Sequence, residues 1–330
     1  MYRHDFKKGI INFSALSVLF LALLIPSLAG GFSRYIQGLI ISVCINIILA
    51  ASLNLTTGFL GQITLGHAGF MSVGAYSAGL VAKALPLPDG IRFLLCIIIG
   101  GITAAVFGVI IGIPAFRLKG DYLAILTLGF GEIIRTVIEN LKFTGGAQGL
   151  RGIPRVATPL CLTIAFWSAV FCIGIMFCFV RSRHGLEISA IRDDDIASEA
   201  CGIDNAKSKI TVFAASAFFA GVAGGIYAQY LGIISASAFN YLKSIDIMAF
   251  VILGGMGSLT GSAVAAAVLT ILPEVLRGFS EYRMIIYSVS LIVLMIFKPS
   301  GLFGRYEFSF VRLLEKLGLT RRRKNEYSGA

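Results

Sequence analysis

Apolar runs of about 20 residues recur along most of the chain, separated by short polar segments. The clearest runs cover residues 10–29, 35–57, 91–116, 122–140, 159–180 and 210–231. A helix needs ~20 apolar residues to cross the hydrocarbon core of a bilayer, where lipid offers no partners for backbone N–H and C=O groups. The runs lack the period-two alternation of a β-barrel. The pattern therefore predicts an all-α, polytopic integral membrane protein.

Two glycine-rich segments, residues 58–76 and 245–276, interrupt this pattern. Glycine weakens a helix, so we expect discontinuous helices in both segments. The helix-break glycines are predicted to be Gly58, Gly61, Gly66, Gly254, Gly255, Gly257 and Gly261. The motif Gly58-x-x-Gly61 followed by QITLG resembles Gly254-x-x-Gly257 followed by SLTG. This echo is typical of transporter repeats, although glycine-rich helices also recur by chance.

Small residues at four-residue spacing predict two helix faces that allow close packing. The first face comprises Gly100, Ala104, Gly108 and Gly112, and the second comprises Ser216, Ala220, Gly224 and Ala228. Both faces lie within apolar runs, so we expect neighbouring helices to approach them closely.

The longest charged interruption covers residues 181–209, and such a segment must face water. Asp193, Asp194 and Asp195 are suited to the N-cap and first turn of a short helix, and Gly202 is suited to its C′ position. We expect an amphipathic helix of roughly two to three turns. Its apolar side would comprise Ile191, Ile196, Ala200 and Ile203. Such a helix fits the groove of a partner protein, while a solvated connector is the alternative.

Composition and charge agree with a membrane protein. The 330 residues are 57% hydrophobic and 14% charged, against ~25% charged in soluble domains, and the mean hydropathy is +0.86. The net charge of +11 comes from short loops and the two termini. This distribution is typical of positive-inside topology and disfavours nucleic-acid binding.

Charge placement predicts about ten membrane passes with both termini cytoplasmic. Residues 1–9 form a cytoplasmic N-terminus, residues 10–300 the transmembrane domain, and residues 301–330 a basic cytoplasmic tail. A break within residues 245–276 supplies one pass, and residues 284–297 form the last. The loop with Lys142, Arg151 and Arg155 then lies outside, against the charge bias. The first run could be a signal peptide, but its length favours a retained span.

The sequence contains no catalytic set, no GxxxxGK[ST] phosphate loop and no metal-binding motif. Five of the six cysteines lie in apolar segments and are interpreted as small buried hydrophobic residues. We therefore expect a protein that is not an enzyme and binds no cofactor or metal. A transporter, a transport subunit or a stand-alone channel remains.

Two groups of polar residues are candidates for a translocation pathway. Gln62, Thr64 and His67 follow the first predicted helix break, where exposed dipoles could meet a zwitterionic substrate. His67 could equally be a packed interior residue. Glu132 and Arg135 share a helix face, so they either form an ion pair or line a wet part of the pathway.

Several segments resemble the permeases of bacterial branched-chain amino acid ABC importers, most closely their M-type subunit. They include LNLTTGFLGQITLGHAGFMSVGAY, GDYLAILTLGFGEIIRT, TGGAQGLRGIP, FVILGGMGSLTGSAVAAAVLTILPEVLR and residues 184–228, which begin in the charged stretch and continue into the next apolar run. These matches run in order through about residues 35–300. Glu199-Ala200-x-Gly202 stands where importer permeases carry an EAA-type motif. Cys201 and the triple aspartate depart from the usual pattern.

The resemblance implies an ABC importer permease fold and a defined set of partners. These are a periplasmic binding protein that delivers Leu, Ile or Val, a second homologous permease, and two cytoplasmic ATPase subunits that bind ATP and Mg²⁺. The family's coupling segment corresponds here to Arg192, Asp193, Asp195, Glu199, Ala200 and Gly202. Related importers carry urea, short-chain amides or other amino acids, which are alternative substrates. A secondary transporter is less compatible with this motif.

Overall fold

The computed structural model describes residues 33–118 and 120–279, together with single positions between residues 285 and 304. Residues 10–29 lie outside the described part, as do the two predicted terminal segments apart from Gly301 and Gly304, and most of residues 284–297. The predicted number of passes therefore stays a prediction.

Helices make up nearly all of the described chain. In order they are α1 (Arg34–Asn54), α2 (His67–Ala84), α3 (Asp89–Ala115), α4 (Asp121–Asn140), α5 (Thr158–Val180), α6 (Arg183–Asp193), α7 (Asp195–Ala200), α8 (Asn205–Leu231), α9 (Tyr241–Gly254) and α10 (Leu259–Val275). Among these described residues, five helical segments are long and apolar enough to cross a membrane. No strand occurs within them, only a bridge between Leu150 and Ile234. The all-α polytopic architecture is confirmed.

Helix α8 forms the centre of the bundle and packs against α1, α2 and α3. Gly74 of α2, Gly100 of α3 and Gly221 of α8 meet backbone to backbone, with no room for a Cβ atom at any of them. Gly108 and Gly112 on α3 lie against Ala217 and Phe213. Gly224, in the second predicted face, packs on the backbone of Met71 in α2, so both predicted small-residue faces are contact surfaces. The other side of α3 carries exposed apolar side chains such as Ile98, Ile102 and Ile110, as expected for a surface that faces lipid.

Both glycine-rich segments interrupt their helices as expected. Helix α1 continues as one π-helical turn (Leu55–Phe59), and residues 60–66 then run without helical structure to α2. The second break separates α9 from α10 at residues 255–258. Gly61, Gly255 and Gly257 have positive φ angles of 75°, 111° and 88°, a conformation that glycine adopts without steric cost.

The other four of these glycines permit close approaches. Gly58 contacts Gly257, Gly66 packs on the backbone of Thr127 in α4, and Gly254 packs on Gly261. A side chain at any of these positions would separate the segments that now touch.

Two details of the sequence interpretation are wrong. Asp193 ends α6 and does not open the predicted amphipathic helix, because the chain bends at Asp194 and the following helix spans only Asp195–Ala200. Cys178 is exposed, so it is not one of the buried cysteines. Cys178 lies on the outward face of α5. The hydropathy of that apolar run does not show which of its residues face outward.

Candidate coupling loop and helix-break junction

Helix α7 lies in the charged segment, residues 181–209, here called the polar loop. The Asp194 carboxylate caps the helix by accepting hydrogen bonds from the N–H groups of Ile196 and Ala197, at 2.9 and 3.0 Å. At the other end, the Gly202 N–H donates to Glu199 O and the Ile203 N–H donates to Ser198 O. Gly202 has a φ of 85°, so this is a Schellman cap with glycine at the predicted C′ position. The two caps fix the ends of a very short helix.

One side of α7 is open to solvent. Ile196 is 80% exposed, and Glu199, Ala200, Cys201 and Gly202 are exposed beside it. Ile191 and Ile203 instead pack into the bundle, so the apolar side expected from the sequence is divided between interior and surface. An exposed isoleucine beside a carboxylate, on a helix with both ends capped, forms a small rigid surface of the kind that partner proteins recognise.

Asp195 points inward and secures the polar loop to the start of α8. Its carboxylate accepts hydrogen bonds from Lys209 Nζ at 2.8 Å and from Asn205 Nδ2 at 2.9 Å. Asn205 also donates to Asp195 O at 2.6 Å. Lys209 is buried and the Asp195 side chain is 31% exposed, so this ion pair is partly shielded from water and holds α7 against the bundle.

Arg192 connects the polar loop to the first helix break. Its Nη1 donates to Gly58 O at 3.4 Å, and its aliphatic stem covers Gly61, where a Cβ would lie 2.7 Å from Arg192 Cγ. The Asp193 carboxylate accepts from Arg192 Nε and Nη2 at 3.3 and 3.2 Å. The Arg192 side chain is only 23% exposed. It is directed toward the bundle and away from the open side of α7.

The two helix breaks meet at a junction, defined here as Asn54, Gly58, Gly61, Gly257 and Ser258. Asn54 is fully buried and joins the breaks. Its Nδ2 donates to Ser258 O at 2.9 Å and to Ser262 Oγ at 2.6 Å, and its Oδ1 accepts from Gly257 N at 2.9 Å. The sequence interpretation did not single out Asn54. The available signal was an amide side chain at the end of an apolar run, directly before a helix break.

The first group of pathway candidates is packed against the end of α1. His67 is buried, and its Nε2 shares a hydrogen bond of 2.8 Å with Ser52 Oγ. Thr64 is buried beside Thr56, while Gln62 is partly exposed and its N–H donates to Thr56 O. The structure thus brings the three together at the first break, with His67 in the packed environment considered as the alternative.

Glu132 and Arg135 form an ion pair on α4 with a distance of 2.7 Å, and Arg135 also pairs with Glu139 at 2.9 Å. The second oxygen of Glu132 accepts from the N–H of Tyr241 at 2.8 Å, at the first residue of α9. A carboxylate is favourable at a helix N-terminus. These contacts join the start of α9 to α4, and a role of the pair in the pathway stays a prediction.

A second polar group inside the bundle was not anticipated. Lys243 Nζ of α9 donates to Asn46 Oδ1 of α1 at 3.1 Å, and Asn46 Nδ2 donates to Thr270 Oγ1 of α10 at 3.0 Å. Asp246 lies one turn after Lys243 and is exposed. A charged side chain within an apolar helix bundle is costly unless it is paired or hydrated. This chain of hydrogen bonds satisfies Lys243 and links three helices.

A family model described as "Branched-chain amino acid transport system / permease component" matches residues 35–297. The match includes both helix breaks, the junction and the entire polar loop. The chain belongs to this permease family.

The permease is also similar to curated proteins along most of its length. It is 34% identical over 315 residues to the high-affinity branched-chain amino acid transport system permease protein LivM of Escherichia coli K12, covering 85% of this chain and 73% of that protein. The LivM protein of Salmonella typhimurium LT2 is 33% identical over 316 residues, covering 86% and 73%. A probable LivM protein of Methanocaldococcus jannaschii is 24% identical over 313 residues, covering 77% and 89%. No solved structure matches.

Proposed function

We propose that the permease is one membrane subunit of an ABC importer and forms, with a second homologous permease, a pathway for Leu, Ile and Val. ATP hydrolysis on two partner subunits would drive transport, with ATP and Mg²⁺ bound by those subunits and not by this chain. The observation that carries the proposal is the family match across residues 35–297, which includes the polar loop. The names of the LivM relatives supply the substrate class.

The partner ATPase would dock on the open side of α7. Ile196 offers an apolar contact, Glu199 a charge, and Gly202 a surface with no side chain. Both helix ends are capped within the loop, so docking does not require the helix to fold first. Arg192, Asp193 and Asp195 would act behind this surface: Asp195 pairs with Lys209, and Arg192 reaches the junction while pairing with Asp193.

The orientation follows from the docking partner. If the ATPases are cytoplasmic, the polar loop, both termini and the junction lie toward the cytoplasm of a bacterial inner membrane. The loop that contains Arg151 then faces the periplasm, where a substrate-binding protein would deliver the amino acid. Gln62, Thr64 and His67 remain pathway candidates beside the first break.

A test uses the reconstituted complex with its ATPases, second permease and binding protein in vesicles. Glu199→Lys and Gly202→Asp should leave the permease in the membrane yet abolish leucine-stimulated ATP hydrolysis, because each places a new charge on the docking surface. Lys207→Glu is the matched control, since Lys207 is exposed in the same loop but outside α7. Normal stimulation in both α7 variants would refute the docking proposal.

The substrate is tested separately. Calorimetry on the cognate binding protein should give heat of binding with Leu, Ile and Val. Binding of urea or a short-chain amide, with no response to leucine, would instead support the alternative substrates of related importers.

A further inference from the structure

The polar loop contacts the membrane helices through more than its chain connections. Arg192 is the last arginine of α6 and lies four residues before Ile196, the first exposed residue of α7. Its guanidinium reaches Gly58 O at 3.4 Å, while its stem lies over Gly61. A Cβ built on Gly257 would lie 3.9 Å from Arg192 Nη1. One side chain of the polar loop thus lies beside both helix breaks.

We propose that Arg192 is a positioning residue that passes movement of the polar loop to the helix-break junction, and is not itself an ATPase contact. This inference rests on the proposed function of the chain as an ATP-driven permease.

Three properties of the contact support the assignment. The Asp193 carboxylate binds two nitrogens of the guanidinium and limits its rotation. Gly61, with its positive φ and no side chain, leaves space for the arginine stem to pack directly on the backbone. Beyond Gly58, Asn54 connects the two breaks by hydrogen bonds of 2.9 Å to Gly257 N and Ser258 O.

The same geometry argues against a docking role for Arg192. Its side chain is 23% exposed, whereas Ile196 on the open side of α7 is 80% exposed. A residue that bound the ATPase would have to leave Gly58 and Asp193. Helix α7 is short and capped, and Asp194 both ends α6 and caps α7. Helix α7 and the Arg192 side chain at the end of α6 can therefore move together.

The test compares variants in the reconstituted complex by three measurements: copurification of the ATPase subunits, leucine-stimulated hydrolysis, and leucine transported per ATP hydrolysed. Arg192→Ala should retain the ATPase subunits and lower the transport ratio about tenfold, within the usual range of coupling between sites. Arg192→Lys should restore part of the ratio, because an ammonium group can still donate to Gly58 O. Asp193→Asn should lower the transport ratio by an intermediate amount, since the Arg192 side chain remains but its guanidinium is held less firmly.

Arg183→Ala is the matched control. Arg183 lies on the same helix, is 92% exposed and, within the described part of the chain, forms an ion pair with Glu187 at 3.5 Å and with no other residue, so its removal should change none of the three measurements.

Two results would overturn the inference. Wild-type coupling in Arg192→Ala would mean that the contact transmits nothing. Loss of the ATPase subunits in parallel with loss of transport would make Arg192 a docking residue. If the wild-type complex itself shows no substrate-stimulated hydrolysis, the proposed function fails, and that result is distinct from either.

Discussion

At the scale of single residues, Asn54 is the position in the described chain with the strictest hydrogen-bonding requirement. Its side chain has no contact with water, yet both ends of its amide have partners in the second helix break. A buried amide can satisfy a donor and an acceptor at once, which no apolar residue of similar size can do. Asn54, at the end of α1, therefore holds the first helix break against the second.

Removing this amide should destabilise the permease. Asn54→Ala should lower the free energy of unfolding by roughly 1–3 kcal/mol for each polar partner left unsatisfied. Thermal unfolding of the purified permease in detergent measures the effect. Asn140→Ala is the control, because Asn140 is an exposed residue at a helix end, and its side chain donates to Thr136 O at 2.7 Å. Equal transition temperatures for the two variants would contradict a structural role for Asn54.

The pair formed by Asp195 and Lys209 is the residue-scale support of the polar loop. Asp195→Ala removes the acceptor of the buried Lys209 ammonium and of Asn205, so the loop should open more often. We expect faster proteolytic cleavage within residues 181–209 than in the wild-type permease. Asp204→Ala is a useful comparison, since Asp204 caps α8 by accepting from Lys207 N but carries no buried ion pair. Similar cleavage rates in the two variants would count against the pair.

At the scale of elements, the bundle depends on direct backbone contact between α2, α3 and α8. Gly221→Ala places a Cβ against Gly100 O and the Ala104 side chain, and a helix backbone cannot yield as a side chain would. We expect a loss of about 1–3 kcal/mol from overpacking, measured by chemical denaturation. Gly174→Ala in α5 is the control, because nothing lies within 4 Å of its added Cβ. That substitution should be neutral or stabilising by up to about 1 kcal/mol.

The elements themselves were largely predictable from the sequence, but their contacts were not. Apolar length predicted the bounds of α1, α3, α4 and α5 within three residues, because lipid forces helices on such runs, whereas α8 begins at Asn205, before its apolar run. Glycine content located both breaks. That the breaks meet depends on Asn54 and Ser258, about 200 positions apart, and hydropathy carries no information about such pairings. Helix α6 was missed because its buried side, with Ile188 and Ile191, is short and lies within a largely charged segment.

At the scale of the whole molecule, sidedness can be read from a native cysteine. Cys201 next to α7 and Cys178 in α5 are exposed, whereas Cys44, Cys96, Cys161 and Cys172 are buried. In a Cys178→Ser background, a membrane-impermeant maleimide should therefore label Cys201 in inside-out vesicles and leave it unlabelled in intact cells. When Cys201 is also replaced by Ser, Arg151→Cys should show the reverse, because Arg151 lies in the loop assigned to the other side. Labelling of Cys201 from outside the cell would invert the proposed topology.

The contact among Gly74, Gly100 and Gly221 also has a mechanical consequence. No side chain separates the three backbones at this contact, so a displacement of one helix is passed directly to its neighbours. Helices α2, α3 and α8 consequently form a stiff frame, in which the helices can hardly move relative to one another. Any change of shape during a transport cycle has to be taken up elsewhere, at segments that lack regular hydrogen bonding. The two breaks are such segments. They lie at the edge of this group of helices and can act as hinges.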